Sequence, residues 1–117
     1  MKQESLNLTH TTFRALSNSH TGTSTTETEM HFTSDDGTVI GHYSGGGVVT
    51  GHVIGKRVGD SEIDLLYQSV NTAGEIQAGQ AHGRFAPDAE GRMRMYLDWQ
   101  WLTGDRSKGQ SEWVQVT

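Results

Sequence analysis

The sequence predicts an all-β protein built from a single antiparallel meander. No window keeps apolar residues at the three- and four-residue spacing of an amphipathic helix for three turns. Two-residue alternation recurs instead, and turn-forming residues interrupt it at short intervals. The clearest case is RMRMYLDWQWL at 92–102, where every second residue from Met93 to Trp101 is apolar. A half-buried antiparallel strand requires this period, because successive side chains point to opposite faces of a sheet.

Shorter alternations of the same kind predict other strands. TEMHF places Met30 and Phe32 on one face, and EIDLLYQSV does the same for Ile63, Leu65 and Tyr67. VIGHY and VTGHV recur ten residues apart on either side of a glycine run, which indicates the two strands of one hairpin. Seven turn-forming stretches then divide the chain into eight strands. The predicted strands are 11–16, 24–34, 38–44, 48–56, 62–70, 75–85, 92–102 and 107–116.

Eight strands joined by short connections favour an up-and-down β-barrel. Neighbouring strands pair as hairpins, and closure of the meander removes its two exposed edges. A barrel of about eight strands has room inside for side chains or for one small ligand. A sandwich of two stacked sheets is the alternative. We expect residues 1–10 to form a flexible N-terminal segment and residues 11–117 to form the single barrel domain.

Composition restricts the functional classes. The chain has 117 residues, 32% of them hydrophobic, and only the fifteen glycines bring the apolar-plus-glycine total near the usual range, so the core is thin or encloses something polar. The net charge is −5 and the basic residues are scattered, which argues against nucleic acid as a partner. Cysteine is absent, and no apolar run approaches the ~18 residues of a membrane span. We expect a cytoplasmic protein that binds neither nucleic acid nor membranes.

The stretch HYSGGGVVTGHVIG at 42–55 raises the question of a phosphate-binding loop. A P-loop needs a Lys and a hydroxyl residue after its last glycine, but His52 and Val53 hold these positions. We therefore expect a hairpin turn and no cofactor. A three-residue turn would make His42 and His52 diagonal neighbours on one face, which makes them weak metal candidates. A two-residue turn would place them on opposite faces. We expect no metal site.

The late aromatic residues suggest a ligand cavity. We predict that Trp99, Trp101, Tyr67, Tyr43 and His82 line the interior and bind a small, partly apolar ligand without catalysis. The alternative is that these side chains fill the core and that the protein is a structural or interaction module, most plausibly a homodimer. An enzyme is a third option, although the chain contains no acetyl-CoA, nucleotide or nucleophile-elbow motif.

Several motifs resemble a group of small bacterial proteins that are often labelled N-acetylglutamate synthase. The likeness rests on ETEMHF, YSGG, GHVIG, YQSVNTAGE and WQWLTGDRSKG, and it extends from about residue 24 onwards. The label implies acetyl transfer from acetyl-CoA to glutamate. In plan, the inferred barrel is also similar to the lipocalin and avidin type of ligand carrier, an analogy of architecture alone.

Overall fold

The computed structural model describes residues 7–20 and 22–117, and this part of the chain forms a closed antiparallel β-barrel. Each strand pairs with the next along the chain, and the eighth pairs with the first. The predicted meander barrel is confirmed, and the sandwich alternative is wrong. No helix in the described part has the length and hydropathy of a membrane span. The strands are β1 (Thr11–Asn18), β2 (Glu29–Asp35), β3 (Thr38–Gly45), β4 (Val48–Gly59), β5 (Glu62–Asn71), β6 (Ile76–Pro87), β7 (Met93–Trp101) and β8 (Lys108–Gln115).

The largest difference from the predicted strands lies at the start of β2, which begins at Glu29 and not at residue 24. Residues 25–28 form a turn closed by a hydrogen bond from the Thr28 amide to the Thr25 carbonyl, 2.9 Å long. The fully buried Thr28 hydroxyl accepts a hydrogen bond from the Thr25 amide and donates one to the Gly45 carbonyl. These side-chain bonds compete with strand pairing, so the chain stays in a turn there.

Four of the aromatic residues that fill the barrel lie over a glycine on the neighbouring strand. A β-carbon added to Gly51 would stand 2.4 Å from the Tyr43 ring, and one added to Gly79 would stand 2.4 Å from the Tyr67 ring. These glycines therefore provide the space that the rings occupy, which explains how a glycine-rich chain packs a core. The directly opposed pairs are Phe32 with Gly41, Tyr43 with Gly51, Tyr67 with Gly79 and Trp99 with Gly109.

One end of the barrel is closed by phenylalanines. Phe13 makes edge-on contacts with Phe32 and Phe85, with ring centroids 5.8 Å apart in both pairs. Leu8, within the predicted N-terminal segment, is fully buried in the same core, whereas residues 1–6 lie outside the described residues. The Leu8 amide donates a 2.8 Å hydrogen bond to the Asp35 carboxylate. The described side chains therefore fill the interior at this end of the barrel.

The buried Asp35 carboxylate adds an ion pair to the closed end. Arg57 Nε donates to Asp35 Oδ1 at 3.1 Å, and the Asp35 side chain is only 2% exposed. Burial favours the neutral acid, but the bonds from Arg57 and from the Leu8 amide outweigh it and lower the pKa of Asp35. The ion pair thus fixes the end of β2 to β4 and to the chain entering β1.

The β3–β4 hairpin turns at two residues, Gly46 and Gly47, which is the shorter of the two turn lengths that the sequence left open. Gly45 pairs with Val48, yet Tyr43 pairs with Gly51, because β4 carries one extra residue as a bulge. A two-residue turn without a bulge would place His42 and His52 on opposite faces of the sheet. The extra residue in β4 returns them to the same face. His42 therefore lies directly opposite His52, on the outer face of the barrel.

We predict that Gly79→Ala destabilises the protein by about 1–3 kcal/mol, because the new methyl group displaces the packed Tyr67 ring. Gly59→Ala is the matched control. It also replaces a strand glycine, but its added β-carbon would meet no atom closer than 3.9 Å. Urea unfolding of the two variants measures the difference. Equal stabilities would contradict the packing role of Gly79.

Candidate ligand-binding cavity

A cavity of about 40 Å³ lies inside the barrel at the end opposite the phenylalanines. The four predicted aromatic residues Tyr43, Tyr67, Trp99 and Trp101 all line it. Their rings form a continuous series, with centroids 6.4 Å apart for Tyr43 and Tyr67, 5.6 Å for Tyr67 and Trp101, and 5.8 Å for the two indoles. The alternation in β5 and β7 brings these rings together, and their role in ligand binding stays a prediction.

Hydrogen bonds fix two of the tryptophans that line the cavity. Trp99 Nε1 donates to Asn18 Oδ1 at 2.8 Å, and Asn18 Nδ2 donates to the Ser24 carbonyl at 3.1 Å. Trp113 Nε1 donates to Ser111 Oγ at 2.9 Å. Asn18 could not be identified from the sequence, because it lies at the end of β1, 81 residues from its indole partner. The walls of the cavity are therefore held in place by polar contacts as well as by packing.

Two buried hydroxyls at this end of the barrel have unused hydrogen-bonding capacity. Tyr43 Oη and Ser69 Oγ are both buried, and among the described residues neither has a hydrogen-bond partner other than the other hydroxyl. Burial raises the pKa of Tyr43 to about 12, and hydrogen bonding to the Ser69 hydroxyl opposes this shift. The phenol is thus protonated at neutral pH and can donate a hydrogen bond to a ligand.

The segment 22–28 covers the mouth of the cavity. Gly22, Thr23 and Ser24 belong to its lining, and the segment continues across the β3–β4 glycine turn. A β-carbon added to Gly47 would stand 2.6 Å from the Thr23 carbonyl oxygen, so the segment packs tightly there. A water molecule needs at least about 10–15 Å³, so the present volume holds about three at most. A larger ligand must displace the cover or the rings.

Among the described residues, the lining of the cavity contains no charged side chain. An ionised group placed inside would lose its hydration without gaining a counter-charge from these residues, which is strongly unfavourable. The polar groups of the described lining include hydroxyl, amide and indole groups, which can form hydrogen bonds with a ligand. This lining therefore suits a neutral chemical group.

The prediction that His82 faces the interior is wrong, because the register of β6 places it on the outer surface. Ile76 at the start of β6 is 78% exposed, and Gln80 and His82 share its face. Small residues at Gly79, Ala81 and Gly83 point inward toward large side chains of neighbouring strands. That run of small residues, followed by Phe85, is the sequence signal that the apolar-pattern analysis missed.

On the outer surface, His82 lies between two carboxylates of β5. Its Nδ1 lies 2.8 Å from Asp64 Oδ1, and its Nε2 lies 2.8 Å from Glu62 Oε1. The hydrogen bonds to Asp64 and then to Glu62 raise the pKa of His82 above its usual value. The cluster is half exposed, so it acts mainly as a surface link between β5 and β6.

The fold and its cavity define a class of protein: an eight-stranded antiparallel up-and-down barrel of the calycin-like type, with a small interior space at one end. The family described as avidin-like protein matches residues 6–116, which is nearly the whole chain. The chain belongs to this avidin-like family. No curated protein and no solved structure matches it. The resemblance to proteins labelled N-acetylglutamate synthase finds no support in these comparisons.

We predict that Asp64→Asn lowers the pKa of His82, because the variant loses the strongest interaction with the imidazolium. The folded-state pKa of His82 is raised, so its contribution to stability is fully present below its unfolded value of about 6.5. That contribution is lost as the pH rises through the folded-state pKa. NMR titration of the imidazole measures the change, with Glu90→Gln in the β6–β7 turn as the control. An unchanged pKa in Asp64→Asn would contradict the assignment.

Proposed function

We propose that this protein is a noncatalytic carrier of a small, neutral and partly apolar ligand, which it binds in the interior cavity. The observation that carries the proposal is the Tyr43 hydroxyl, which is buried in a cavity-lining side chain and has no hydrogen-bond partner among the described residues other than the Ser69 hydroxyl. A phenol can donate one hydrogen bond and accept others, and a ligand atom in the cavity would use the capacity that remains. The aromatic rings then bind the apolar part of the same ligand.

The chemistry of the lining restricts the ligand further. The buried part must be uncharged, must carry at least one hydrogen-bond acceptor for the Tyr43 phenol, and must be flat or compact enough to lie against the rings. A charged group is acceptable only on a part of the ligand that stays in solvent. The chain belongs to the avidin-like family, so biotin is a suitable first probe. Oxindole, whose carbonyl oxygen can accept the hydrogen bond from Tyr43, is a neutral bicyclic probe of different shape.

We predict that Tyr43→Phe leaves the free protein as stable or stabilises it by up to about 1 kcal/mol, because the variant removes a buried unsatisfied hydroxyl. The same variant binds the ligand about tenfold more weakly, since a hydrogen bond in a buried site is lost. Tyr96→Phe is the matched control, because Tyr96 lies on the outer face with Arg84 4.6 Å from its ring centroid.

Calorimetric titration with biotin and with oxindole measures affinity, and thermal unfolding measures stability. Native mass spectrometry of the freshly purified protein identifies any small molecule retained from the expression host. The proposal is supported by binding of either probe, or of a retained molecule, that weakens in Tyr43→Phe but not in Tyr96→Phe. It is overturned if the protein carries no molecule and binds neither probe.

A second proposal, compatible with the first, is that the barrel associates with a second copy of itself through the outer face of β4–β8. Ile54 and Leu66 face each other across β4 and β5, and both side chains are 54% exposed. The same concave face carries Lys56 and Lys108 toward its two edges and acidic residues between them. Two copies related by a two-fold axis can pair the lysines of one with the carboxylates of the other around the aliphatic centre.

We predict that Leu66→Lys makes the protein monomeric, because it places a like charge at the centre of the shared face. Leu102→Lys, at an exposed aliphatic residue in the β7–β8 connection, is the control and keeps the dimer. Light scattering coupled to gel filtration distinguishes a mass of 12.8 kDa from twice that value. A wild-type protein that stays monomeric at high concentration would exclude this association.

A further inference from the structure

We propose that His42 and His52 form a two-histidine binding site for a divalent transition-metal ion on the outer face of the barrel. The two residues are direct cross-strand partners on β3 and β4, and both side chains are exposed. Their ring centroids lie 4.8 Å apart with the planes at 86°. Within the described part of the chain, neither imidazole makes a hydrogen bond or an ion pair, so all four ring nitrogens are open to ligation.

The separation of the rings agrees with shared coordination of one ion. A metal bound about 2.0–2.1 Å from a ring nitrogen lies about 3.2 Å from the centroid of that ring. Two such rings have centroids about 4.5 Å apart at a right angle and about 5.2 Å apart at a tetrahedral angle. The observed 4.8 Å falls between these values. The separation of the rings is therefore compatible with one nitrogen of each ring directed at a common point after rotation about the side-chain bonds.

The backbone holds the two histidines at this separation before any ion arrives. The β3–β4 ladder continues on both sides of the pair, with Gly41 opposite Val53 and Tyr43 opposite Gly51. The bulge near the glycine turn sets this register, so the pair depends on a specific feature of the hairpin. A preorganised pair loses little conformational entropy on binding, which increases affinity.

His31 extends the row by one strand, since it lies directly opposite His42 on β2. Its Nδ1 is 2.9 Å from Thr12 Oγ1, and its Nε2 is 3.7 Å from Glu29 Oε1, so its ring is oriented by other partners. No group of three or more potential ligands in the described residues is arranged to hold a metal ion. We therefore assign two protein ligands, with water in the remaining positions.

Two imidazoles and water favour ions that prefer nitrogen ligands. Cu²⁺ has the highest affinity for such sites among the divalent first-row metals, and Zn²⁺ and Ni²⁺ also accept imidazole. Mg²⁺ and Ca²⁺ prefer oxygen ligands and are not expected to bind here. The site lies on the outside of the sheet, so it is independent of the interior cavity and of the ligand proposed for it.

The test is titration of the full chain with Cu²⁺, followed by electron paramagnetic resonance to count the coordinated nitrogens, and by calorimetry with Zn²⁺. We expect one ion per chain with two imidazole nitrogens, and a loss of affinity of about tenfold or more in His42→Ala and in His52→Ala. His20→Ala, which removes an exposed histidine from the β1–β2 connection, is the matched control and keeps the affinity.

Circular dichroism verifies that each variant is folded, and His42→Gln and His52→Gln replace any alanine variant that is not. A loss of affinity in His31→Ala in addition would support the site and extend it to a third imidazole. The proposal is overturned if His42→Ala and His52→Ala bind Cu²⁺ as wild type does, or if His20→Ala weakens binding equally. Either result would mean that the ion binds adventitiously.

Discussion

An aromatic ring lying over a glycine of the next strand is the contact on which this barrel depends. Tyr43 lies over Gly51, Tyr67 over Gly79 and Trp99 over Gly109, each pair directly opposed in the ladder. Only 32% of the residues are hydrophobic, and a core of ordinary aliphatic packing would leave an eight-stranded barrel partly empty. Large aromatic rings that pack against glycine residues fill that space with fewer hydrophobic residues than aliphatic side chains would need.

The same contacts locate the candidate site. The rings of Tyr43, Tyr67, Trp99 and Trp101 gather at one end, whereas phenylalanines and Leu8 fill the other. Trp99 and Trp113 donate their indole N–H groups to Asn18 and Ser111, whereas the Tyr43 hydroxyl has no described partner other than Ser69. The glycine turn contributes because the segment 22–28 lies directly on it. The result is a small covered cavity whose described lining is uncharged and includes the Tyr43 hydroxyl.

Much of this fold could be predicted from the sequence, because apolar and polar residues alternate with a two-residue period along antiparallel strands that have one solvent-exposed face. That period located β7 and β5 and the inward rings on them. The two-residue period did not show which face of β6 is buried. The inward residues of β6 are small and its outward residues include Ile76 and His82, so the apolar pattern assigned the wrong face to the interior. The hairpin register could not be predicted for another reason: β4 contains a bulge beside a turn that packs against segment 22–28, and the two-residue period reveals neither feature. Asn18 was missed because it meets Trp99 only in the folded chain.

A double-mutant cycle on Tyr43 and Gly51 tests the central claim most directly. Each single variant, Tyr43→Ala and Gly51→Ala, is expected to unfold more readily than the wild type, the first through a cavity and the second through overpacking. If the glycine exists to receive the ring, Gly51→Ala costs almost nothing once the ring is gone, and the two free energies fail to add by about 1 kcal/mol or more. Additive free energies of unfolding would contradict the claim that ring-on-glycine contacts determine the packing of this barrel.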